Sequence, residues 1–461
     1  MRILYFNYQI ASFASIVRSL EYAKGAADEG HEVALCYLDP LFRPPESYYD
    51  LIAAYESPRL RVHYPPRKPV AARPAGAAKQ PIKGKGAEGR PNLKALYRQI
   101  VTSPRFIPEE LRWVDQFRPD VLMARSDPTL SFLATSRLRS LPLVLETDGP
   151  VEEMDQFWGV DSRWVRPLDT WRARKADALL YISEACRELW LGKSIAGEKL
   201  FYTPNAAHPD RFRPQDPAAR RALRARFGLA GTAKVIGFSG ILRPWHGVDN
   251  LLAAVLPILE EDPDVRILFI GLVADAGVLD RCRVPEAVRR DRLVFTGPVP
   301  YARMGDHIDM ADCVALPYPP MERFHFSPMK LFEGMCLGKV IVAPRMGQMA
   351  ELLEGLSSPV LYDAAGGFDA LRQALSEGLR RGCSAPEGIP AGADARARIE
   401  QAHTWAHRGK VVAQACEFAL ATKTRIRKAG RPVGDRVEVV KAVDGVDENR
   451  PVEEPARRAV T

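Results

Sequence analysis

A short segment late in the chain carries residue types that suit a phosphorylated ligand. Residues 326–344 read F-S-P-M-K-L-F-E-G-M-C-L-G-K-V-I-V-A-P. Ser327 is a preferred N-cap residue and Pro328 a preferred first helical residue, which predicts free backbone N–H groups beside Lys330. Such a helix start binds anions. Farther along, the Glu333 carboxylate suits a pair of vicinal hydroxyls, as on a ribose. We therefore predict a nucleoside-diphosphate site here.

The elements around this segment alternate between buried strands and amphipathic helices, a pattern typical of a doubly wound α/β fold. In the first half we predict strands at 3–8, 33–37, 121–124, 143–145 and 179–182, and a helix that buries Phe13, Ile16, Val17, Leu20 and Ala23 and ends before Gly30. In the second half we predict strands at 235–238, 265–270, 293–295, 313–316 and 340–343, and helices near 248–259 and over 328–337. A last helix is predicted over 393–421, and the loop 205–214 is the predicted hinge between the halves.

Size and composition indicate a soluble globular protein with two domains. The chain has 461 residues, of which 46% are hydrophobic and 26% charged, so it is too long for one ordinary core. No apolar run reaches the roughly 18 to 20 residues that cross a bilayer. The N-terminus lacks the pattern of a signal peptide, because Arg18, Glu21 and Lys24 interrupt the sequence after the first strand. We expect a cytoplasmic protein.

The cysteines and the distribution of charge bear on metal sites and on binding partners. The seven cysteines are scattered, without histidines at metal-ligand spacing, and we interpret them as reduced and mostly buried: Cys36, Cys186, Cys282, Cys313, Cys336, Cys383 and Cys416. We expect no metal site and no cofactor. The net charge of +8 is concentrated in a Pro/Gly/Ala-rich stretch, residues 67–90, which should be mobile. Either this basic stretch is a solvated loop or it touches an anionic membrane or a lipid-diphosphate acceptor. No nucleic-acid partner is expected, since no aromatic residues interleave with the charges.

Several ordered motifs carry a family resemblance. They are T-P-N-A-A-H-P-D-R-F at 203–212, G-I-L-R-P-W-H-G-V-D at 240–249, T-G-P-V-P-Y at 296–301, A-D-C-V-A-L-P-Y at 311–318 and the segment 326–344. With these motifs in this order, the chain resembles the family 4 retaining glycosyltransferases of the GT-B fold. The resemblance implies two Rossmann-like domains that face each other across a cleft, with a nucleotide-sugar donor on the C-terminal domain.

The resemblance also implies the domain boundaries. We expect an N-terminal Rossmann-like acceptor domain over 1–204, with a basic insert at about 65–91, and a C-terminal nucleotide-sugar domain over 205–392. A helix over 393–422 should cross back to the N-terminal domain. The tail, 423–461, is expected to be disordered.

On the donor side the chain both matches the family and departs from it. Glu333 matches the second glutamate of the family's paired-glutamate motif, which holds the ribose, whereas His325 stands where the first glutamate is expected. Ile241 and His246 occupy the positions of the family's diphosphate-binding arginine and lysine, and we expect Arg243 and Lys330 to substitute for them. Together with the helix N-terminus they would stabilise the leaving diphosphate without a metal. The expected donor-binding residues are Gly240, His246, His325, Ser327, Pro328, Met329 and Glu333.

On the acceptor side the resemblance points to the segment 142–150, P-L-V-L-E-T-D-G-P. By alignment Asp148 stands where the family often has a histidine near the anomeric centre. Its carboxylate could act as a base or stabilise an oxocarbenium-like centre. A slip of the alignment would bring Glu146 there instead. Arg125 and Asp127, at the end of the preceding strand, are second candidates for the acceptor cleft.

Each candidate also has a simpler interpretation. Lys330 and Glu333 are three residues apart and could form a surface ion pair worth about 0.3 kcal/mol. The histidines at 246 and 325 could be ordinary loop residues and Arg243 a solvated cation. Asp148 could belong to a turn before Gly149, and Gly240 to a tight turn.

We predict a retaining hexosyltransferase that moves a sugar from a nucleoside diphosphate to a sugar or lipid-linked acceptor hydroxyl, in bacterial polysaccharide or glycoconjugate synthesis. Two alternatives stay open. One is a nucleotide-sugar epimerase of the same fold, which would need a second acidic group around the sugar. The other is a non-catalytic nucleotide-binding module, suggested by His325, Ile241 and His246. A peripheral contact at the inner face of the membrane, through the basic stretch, also stays open.

Overall fold

The structure is a computed structural model that describes residues 1–8, 13–38, 46–64, 103–125, 131–151, 163, 165–229, 231–242, 244–273, 277–386 and 388–428. Residues Met1–Lys423 form one compact unit. The basic insert and the chain beyond residue 428 lie outside the described residues, as do Asp127 and Arg243. The predicted domain boundaries therefore stay predictions.

Two parallel sheets organise the described part of the chain. The first consists of β1 Arg2–Asn7, β2 Glu32–Tyr37, β3 Leu60–His63, β4 Val121–Arg125, β5 Leu143–Glu146, β6 Ala178–Tyr181 and β7 Leu200–Tyr202. The second consists of β8 Lys234–Ser239, β9 Val265–Ile270, β10 Leu293–Phe295, β11 Cys313–Ala315, β12 Val340–Pro344 and β13 Val360–Tyr362.

The two sheets share one topology: their strand orders are β3-β2-β1-β4-β5-β6-β7 and β10-β9-β8-β11-β12-β13. In both, the first strand is internal and the order reverses beside it, between β1 and β4 and between β8 and β11. Ligands of doubly wound sheets bind at the carboxyl ends of strands near such a reversal. The predicted pair of Rossmann-like sheets is confirmed.

The helices pack between and around the strands. Their bounds are α1 Phe13–Asp28, α2 Glu46–Ala53, α3 Ile107–Phe117, α4 Ser131–Leu138, α5 Arg166–Lys175, α6 Glu184–Gly192, α7 Pro217–Arg226, α8 Val248–Glu261, α9 Val278–Arg281, α10 Glu286–Asp291, α11 Tyr301–Asp309, α12 Met329–Cys336, α13 Gly347–Leu353, α14 Gly367–Ser384, α15 Ala393–Ala402 and α16 Trp405–Lys428. Short 3-10 turns lie at Ser103–Arg105, Gly197–Lys199, Pro244–His246 and Ala364–Gly366. No described helix is long and apolar enough to cross a membrane.

Three strands were not predicted from the sequence: β3, β7 and β13. Each lies at the edge of its sheet and has only three or four residues. An edge strand is covered less than a central one, so the sequence carries a weaker apolar signal there. The internal strands, which are buried on both faces, were all predicted.

The predicted last helix is wrong in one respect, because it is two helices. α15 ends at Ala402 and α16 begins at Trp405. Between them the carbonyl of His403 accepts the N–H of Ala207, and Thr404 pairs with Ala207 in a single β-bridge. The break lets the chain bond to the predicted hinge loop, which a continuous helix could not do.

α16 crosses back onto α1, as predicted. Trp405 is buried and its ring lies edge-on to Tyr22, with ring centroids 6.1 Å apart. A Cβ placed on Gly25 would lie 2.4 Å from the Cα of Gly409, so only glycines allow this close approach. One buried apolar cluster runs from α1 and β1 through to β12 and α16, and joins the two sheets.

No disulfide joins the described cysteines, and Cys36, Cys186, Cys313, Cys336 and Cys416 are buried. Among the described residues, no group of three or more His, Cys, Asp or Glu side chains could hold a metal ion.

Candidate functional site

The segment singled out in the sequence forms α12, which we call the Lys330 helix. All eight of its residues are buried. Its end is set by Gly338 at φ +63, whose N–H bonds to the Met335 carbonyl while the next N–H bonds to the Gly334 carbonyl. These two bonds form a Schellman motif, so the predicted helix end is confirmed.

The predicted N-cap is wrong. The cap position is Pro328, in an extended conformation and without a side-chain cap, and the helix begins at Met329. Ser327 instead accepts a hydrogen bond on its Oγ from the N–H of Asn205, at 2.8 Å. The Ser327 hydroxyl is thus hydrogen-bonded to the hinge loop and does not cap the helix. In the first turn the N–H of Leu331 bonds to the Pro328 carbonyl at 3.0 Å, and the N–H groups of Met329 and Lys330 are the ones that a helix start leaves without intrahelical partners.

Lys330 is a buried cation without a hydrogen-bonding partner. It is 9% exposed, and within the described structure no hydrogen bond or ion pair reaches its Nζ. The Nζ lies 4.3 Å from the centroid of the Phe238 ring and 5.4 Å from that of Tyr318. Burial lowers the pKa of Lys330 to about 7, against the attraction of Glu333. A buried ammonium held only by aromatic faces is poorly solvated, and an anion would stabilise it.

Gly240 lies next to this cation, directly after β8. Its φ is +130, and its N–H bonds to the Ile270 carbonyl at 2.8 Å. A Cβ at this position would lie 3.3 Å from the Nζ of Lys330. The glycine therefore supplies both the turn and the space in front of the lysine, at the carboxyl end of the central strand.

Glu333 lies one turn along the Lys330 helix and is 5% exposed. Burial raises the pKa of Glu333 to about 7, while Lys330 and Arg211 oppose the shift. Arg211 comes from the hinge loop; its guanidinium lies 4.9 Å from the centroid of the Tyr301 ring and 3.9 Å from a carboxylate oxygen of Glu21. In the part of the chain that the structure describes, no ion pair joins Glu333 to Lys330. The simpler interpretation as a surface ion pair is therefore wrong.

The two candidate histidines occupy different surroundings. The Nδ1 of His246 lies 2.7 Å from the carbonyl oxygen of Ile241, so the ring closes its own loop. His325 is fully buried, packs on Phe326, and faces Asp148 across the interface between the sheets. Burial lowers its pKa to about 4, with Asp148 opposing, so this imidazole is neutral. A contact with a donor sugar would require its ring to be uncovered.

Asp148 belongs to an ionic cluster. Arg125 bonds with one guanidinium nitrogen to Glu146 and with the other to Asp148, and Arg18 also bonds to Asp148. We call these four residues the Asp148 cluster. Glu146 is fully buried and also accepts the hydroxyl of Tyr5, whereas the side chain of Asp148 is 32% exposed. Asp148 is thus the cluster's accessible carboxylate, and Glu146 is enclosed.

The electrostatics of the cluster make Asp148 a weak base. Burial works to raise its pKa, but Arg125 and Arg18 outweigh it and hold the pKa of this carboxyl well below its usual range. The carboxylate stays ionised near neutral pH and takes up a proton with difficulty. The carboxylate is therefore better suited to stabilising a nearby positive charge than to acting as a base.

Arg18 and Asn205 were not identified as site residues from the sequence. In the sequence Arg18 served only as a charge that argues against a signal peptide, yet in the structure it is buried. The signal was available, since a charge on the apolar face of a helix needs a partner. Its partners, Asp148 and Asn205, are 130 and 187 residues away in sequence, so no local pattern could name them.

Comparisons with known proteins agree with this geometry. A family model described as "Glycosyl transferase 4-like domain" matches residues 15–206, and one described as "Glycosyl transferases group 1" matches residues 233–380. A D-inositol 3-phosphate glycosyltransferase of Segniliparus rotundus is 29% identical over 170 residues, which are 36% of this chain and 36% of that protein. A GDP-mannose-dependent monoacylated alpha-(1-6)-phosphatidylinositol monomannoside mannosyltransferase of Corynebacterium glutamicum is 25% identical over 143 residues, 31% of this chain and 37% of that protein. The match spans about a third of the length of these relatives.

Among solved structures, the Anabaena protein HepE in complex with UDP and glucose superposes with a TM-score of 0.64 at 17% identity. The superposition covers 90% of this chain and 99% of that one. At this identity the likeness shows a shared fold of two facing Rossmann-like domains.

Proposed function

Because the chain belongs to the group 1 glycosyltransferases, family 4 of the GT-B fold, we propose that it transfers a sugar from a nucleoside-diphosphate sugar to an acceptor hydroxyl with retention of configuration. The proposed setting is bacterial polysaccharide or glycoconjugate synthesis, with a sugar or lipid-linked acceptor. The observation that carries the proposal is Lys330: a buried cation without a hydrogen-bonding partner, beside Gly240 and the first turn of its helix.

The donor would lie with its diphosphate on the Lys330 helix. Charge builds on the β-phosphate as the nucleotide leaves, and the Nζ of Lys330 and the first-turn N–H groups can stabilise that charge. Glu333 would accept the two ribose hydroxyls. Pro328, Met329 and Gly240 would contribute backbone close to the phosphates. A contribution from Arg243 remains an expectation from the sequence.

Of the two roles considered for Asp148 from the sequence, base or stabiliser of positive charge, the proposal keeps the second. A carboxylate held ionised by two guanidinium groups suits the stabilisation of positive charge at the anomeric carbon better than the removal of a proton. Glu146 is enclosed and serves Arg125. We therefore propose Asp148 as an electrostatic group of the cleft, and we propose that no metal takes part. A membrane contact through the basic stretch remains part of the proposal.

A donor panel tests the function. The protein is incubated with UDP-, GDP-, ADP- and dTDP-sugars, with and without EDTA, and nucleotide release is followed by anion-exchange chromatography. We expect release of one nucleoside diphosphate, unchanged by EDTA and faster with an acceptor. A new sugar nucleotide formed without acceptor would indicate the epimerase. Tight binding without release from any donor would indicate the non-catalytic module.

A further inference from the structure

A continuous chain of hydrogen bonds leads from the Asp148 cluster to the start of the Lys330 helix. The guanidinium of Arg18 donates from Nη1 to Asp148 and from Nε to the Oδ1 of Asn205, the latter at 3.0 Å. Asn205 in turn donates its backbone N–H to the Oγ of Ser327 at 2.8 Å, and its Nδ2 donates to the Ser327 carbonyl. Every link is buried except the Asp148 carboxylate, which is partly exposed.

This chain of hydrogen bonds connects three separate parts of the protein. Arg18 belongs to α1, Asn205 to the hinge loop, and Ser327 directly precedes the Lys330 helix. Arg18 has bonding directions in a fixed planar fork, so its Nε and Nη1 can serve Asn205 and Asp148 only in one orientation. The position of Asp148 is thereby tied to the position of the helix that would hold the diphosphate.

We propose that Arg18 is a positioning residue that holds the Asp148 carboxylate in register with the Lys330 helix, through Asn205 and Ser327. This inference rests on the proposed transfer reaction and extends it. Arg18 touches neither of the residues proposed to hold the diphosphate and the ribose, so it acts through others. The reaction needs the leaving diphosphate and the charge-stabilising carboxylate at a fixed separation, and a misplacement of about 1 Å is costly.

The charges that face Asp148 come from several elements. Arg18 approaches from α1, Arg125 from β4, and His325 from the loop before the Lys330 helix. Glu146, on β5, lies 3.6 Å from the Nη1 of Arg18. The Sγ of Cys186, from α6, lies 3.3 Å from the Asp148 backbone carbonyl. Without Arg18, the positive charge of Arg125 would be shared between two carboxylates, and the neutral His325 could not replace the lost charge.

Four single variants and one double variant test the inference. Arg18→Gln removes the cation, and Arg18→Lys keeps the charge but loses the fork. Arg408→Gln is the matched control: Arg408 is equally buried and donates to the Pro204 carbonyl, next to Asn205, but among the described residues it pairs with no carboxylate. Ser327→Ala removes the hydroxyl that accepts the Asn205 N–H, at the far end of the hydrogen-bond chain.

The first measurement uses whichever donor of the panel gives turnover. We expect Arg18→Gln to lower kcat at least tenfold with the donor KM changed less than about threefold, and to move the acid limb of the pH–rate profile upward by about one pH unit. Arg18→Lys should restore the acid limb but only part of kcat. Arg408→Gln should lower thermal stability without moving the limb. An Arg18→Gln enzyme with wild-type kcat and pH profile would overturn the inference.

The second measurement needs no substrate and separates this inference from the proposed function. Unfolding is followed in denaturant for Arg18→Gln, Ser327→Ala and the double variant. Because both residues act through Asn205, we expect the double variant to lose less stability than the sum of the single variants. We also expect the loss caused by Arg18→Gln, but not that caused by Arg408→Gln, to shrink only as the pH falls below about 4, because the pKa of the Asp148 carboxyl lies well below its usual range in the folded protein and its ion pair with Arg18 is lost only at such low pH. Strict additivity with a pH-independent loss would overturn the inference even if no donor were turned over.

Discussion

At the scale of single residues, the site depends on two buried ionisable groups that do not form an ion pair with each other. Lys330 lies on aromatic faces, and the Glu333 carboxylate lies one turn away. Burial lowers the pKa of the lysine and raises that of the glutamate, so each group is held in surroundings that disfavour its charge. Such an arrangement lowers the stability of the free protein. Under the proposed function, a bound nucleotide would relieve it by placing phosphate oxygens beside Lys330 and ribose hydroxyls beside Glu333.

Glu333 should contribute most of its effect through nucleotide affinity. We expect Glu333→Ala to weaken UDP binding at least tenfold, equivalent to about 1.4 kcal/mol, because two hydrogen bonds from ribose hydroxyls to a charged acceptor are lost. Isothermal titration calorimetry measures the change. Glu354→Ala, which removes an exposed carboxylate paired with Arg345, is the control and should leave the affinity unchanged. An unaltered dissociation constant for Glu333→Ala would remove this residue from the site.

Lys330 should make nucleotide binding depend on pH. The pKa of Lys330 is about 7 in the free protein, so above that pH the side chain is mostly neutral, and a bound diphosphate favours the charged form. Binding should therefore take up protons at about pH 8, and affinity should fall as the pH rises through 7 to about 9. Calorimetry in buffers of different ionisation enthalpy measures the uptake. Lys330→Met should abolish it; uptake that persists in this variant would assign the proton to another group.

At the scale of elements, the glycines in the helices matter for different reasons. Gly338 ends the Lys330 helix in a left-handed conformation, and this end was predictable from the sequence. Gly409 lies within a helix, where alanine is normally favoured by up to about 1 kcal/mol. There the contact with Gly25 decides the residue type instead, because α1 and α16 touch through their backbones.

The contact between Gly25 and Gly409 can be tested by whether an alanine substitution raises or lowers the free energy of unfolding. We expect Gly409→Ala to lower the free energy of unfolding by about 1 to 3 kcal/mol, since the added methyl group would lie 2.5 Å from the Cα of Gly25. Gly192→Ala is the matched control, because it also replaces a helical glycine but has no atom within 4 Å of the added methyl group. It should be neutral or stabilising. Chemical denaturation measures both, and equal effects would mean that the helices separate without cost.

At the scale of the whole molecule, the two sheets share more than a linker. One apolar cluster extends across both, and hydrogen bonds join them directly: Ser183 donates to the His325 carbonyl at 2.8 Å, and Gln348 donates to the Ile182 carbonyl at 3.1 Å. The sheets are therefore expected to unfold together, although chains of this length commonly unfold domain by domain.

This cooperativity is measurable. We expect residues 1–423 to unfold in a single transition, with coincident denaturant curves for the far-ultraviolet circular dichroism and the tryptophan fluorescence. Nucleotide should raise the midpoint of both curves together, because ligand binding stabilises by mass action. Two separated transitions would show that the contacts between the sheets contribute little to stability.

The sequence by itself determined the internal strands and the place and end of the Lys330 helix; the chemistry assigned to that helix stays a prediction. Internal parallel strands are buried on both faces, so continuous apolar runs in the sequence predicted them. Lys330, Glu333 and Gly338 belong to one helix and its end, so their spacing in sequence fixes their relative positions. Three of the four edge strands, which are short and less covered, were missed, and only β10 was predicted. The Ser327 cap was misjudged, because a local rule could not foresee that a hinge residue would take its hydroxyl.

Only the tertiary structure decided how the charges are shared. Asp148 was predicted near the anomeric centre, but its ionisation is set by Arg18 and Arg125, which reach it from two other elements. Likewise the burial of His325 and the aromatic surroundings of Lys330 come from parts of the chain far apart in sequence. Solvation and charge depend on everything within a few ångströms of a group in space, and sequence spacing reports only the neighbours within one element.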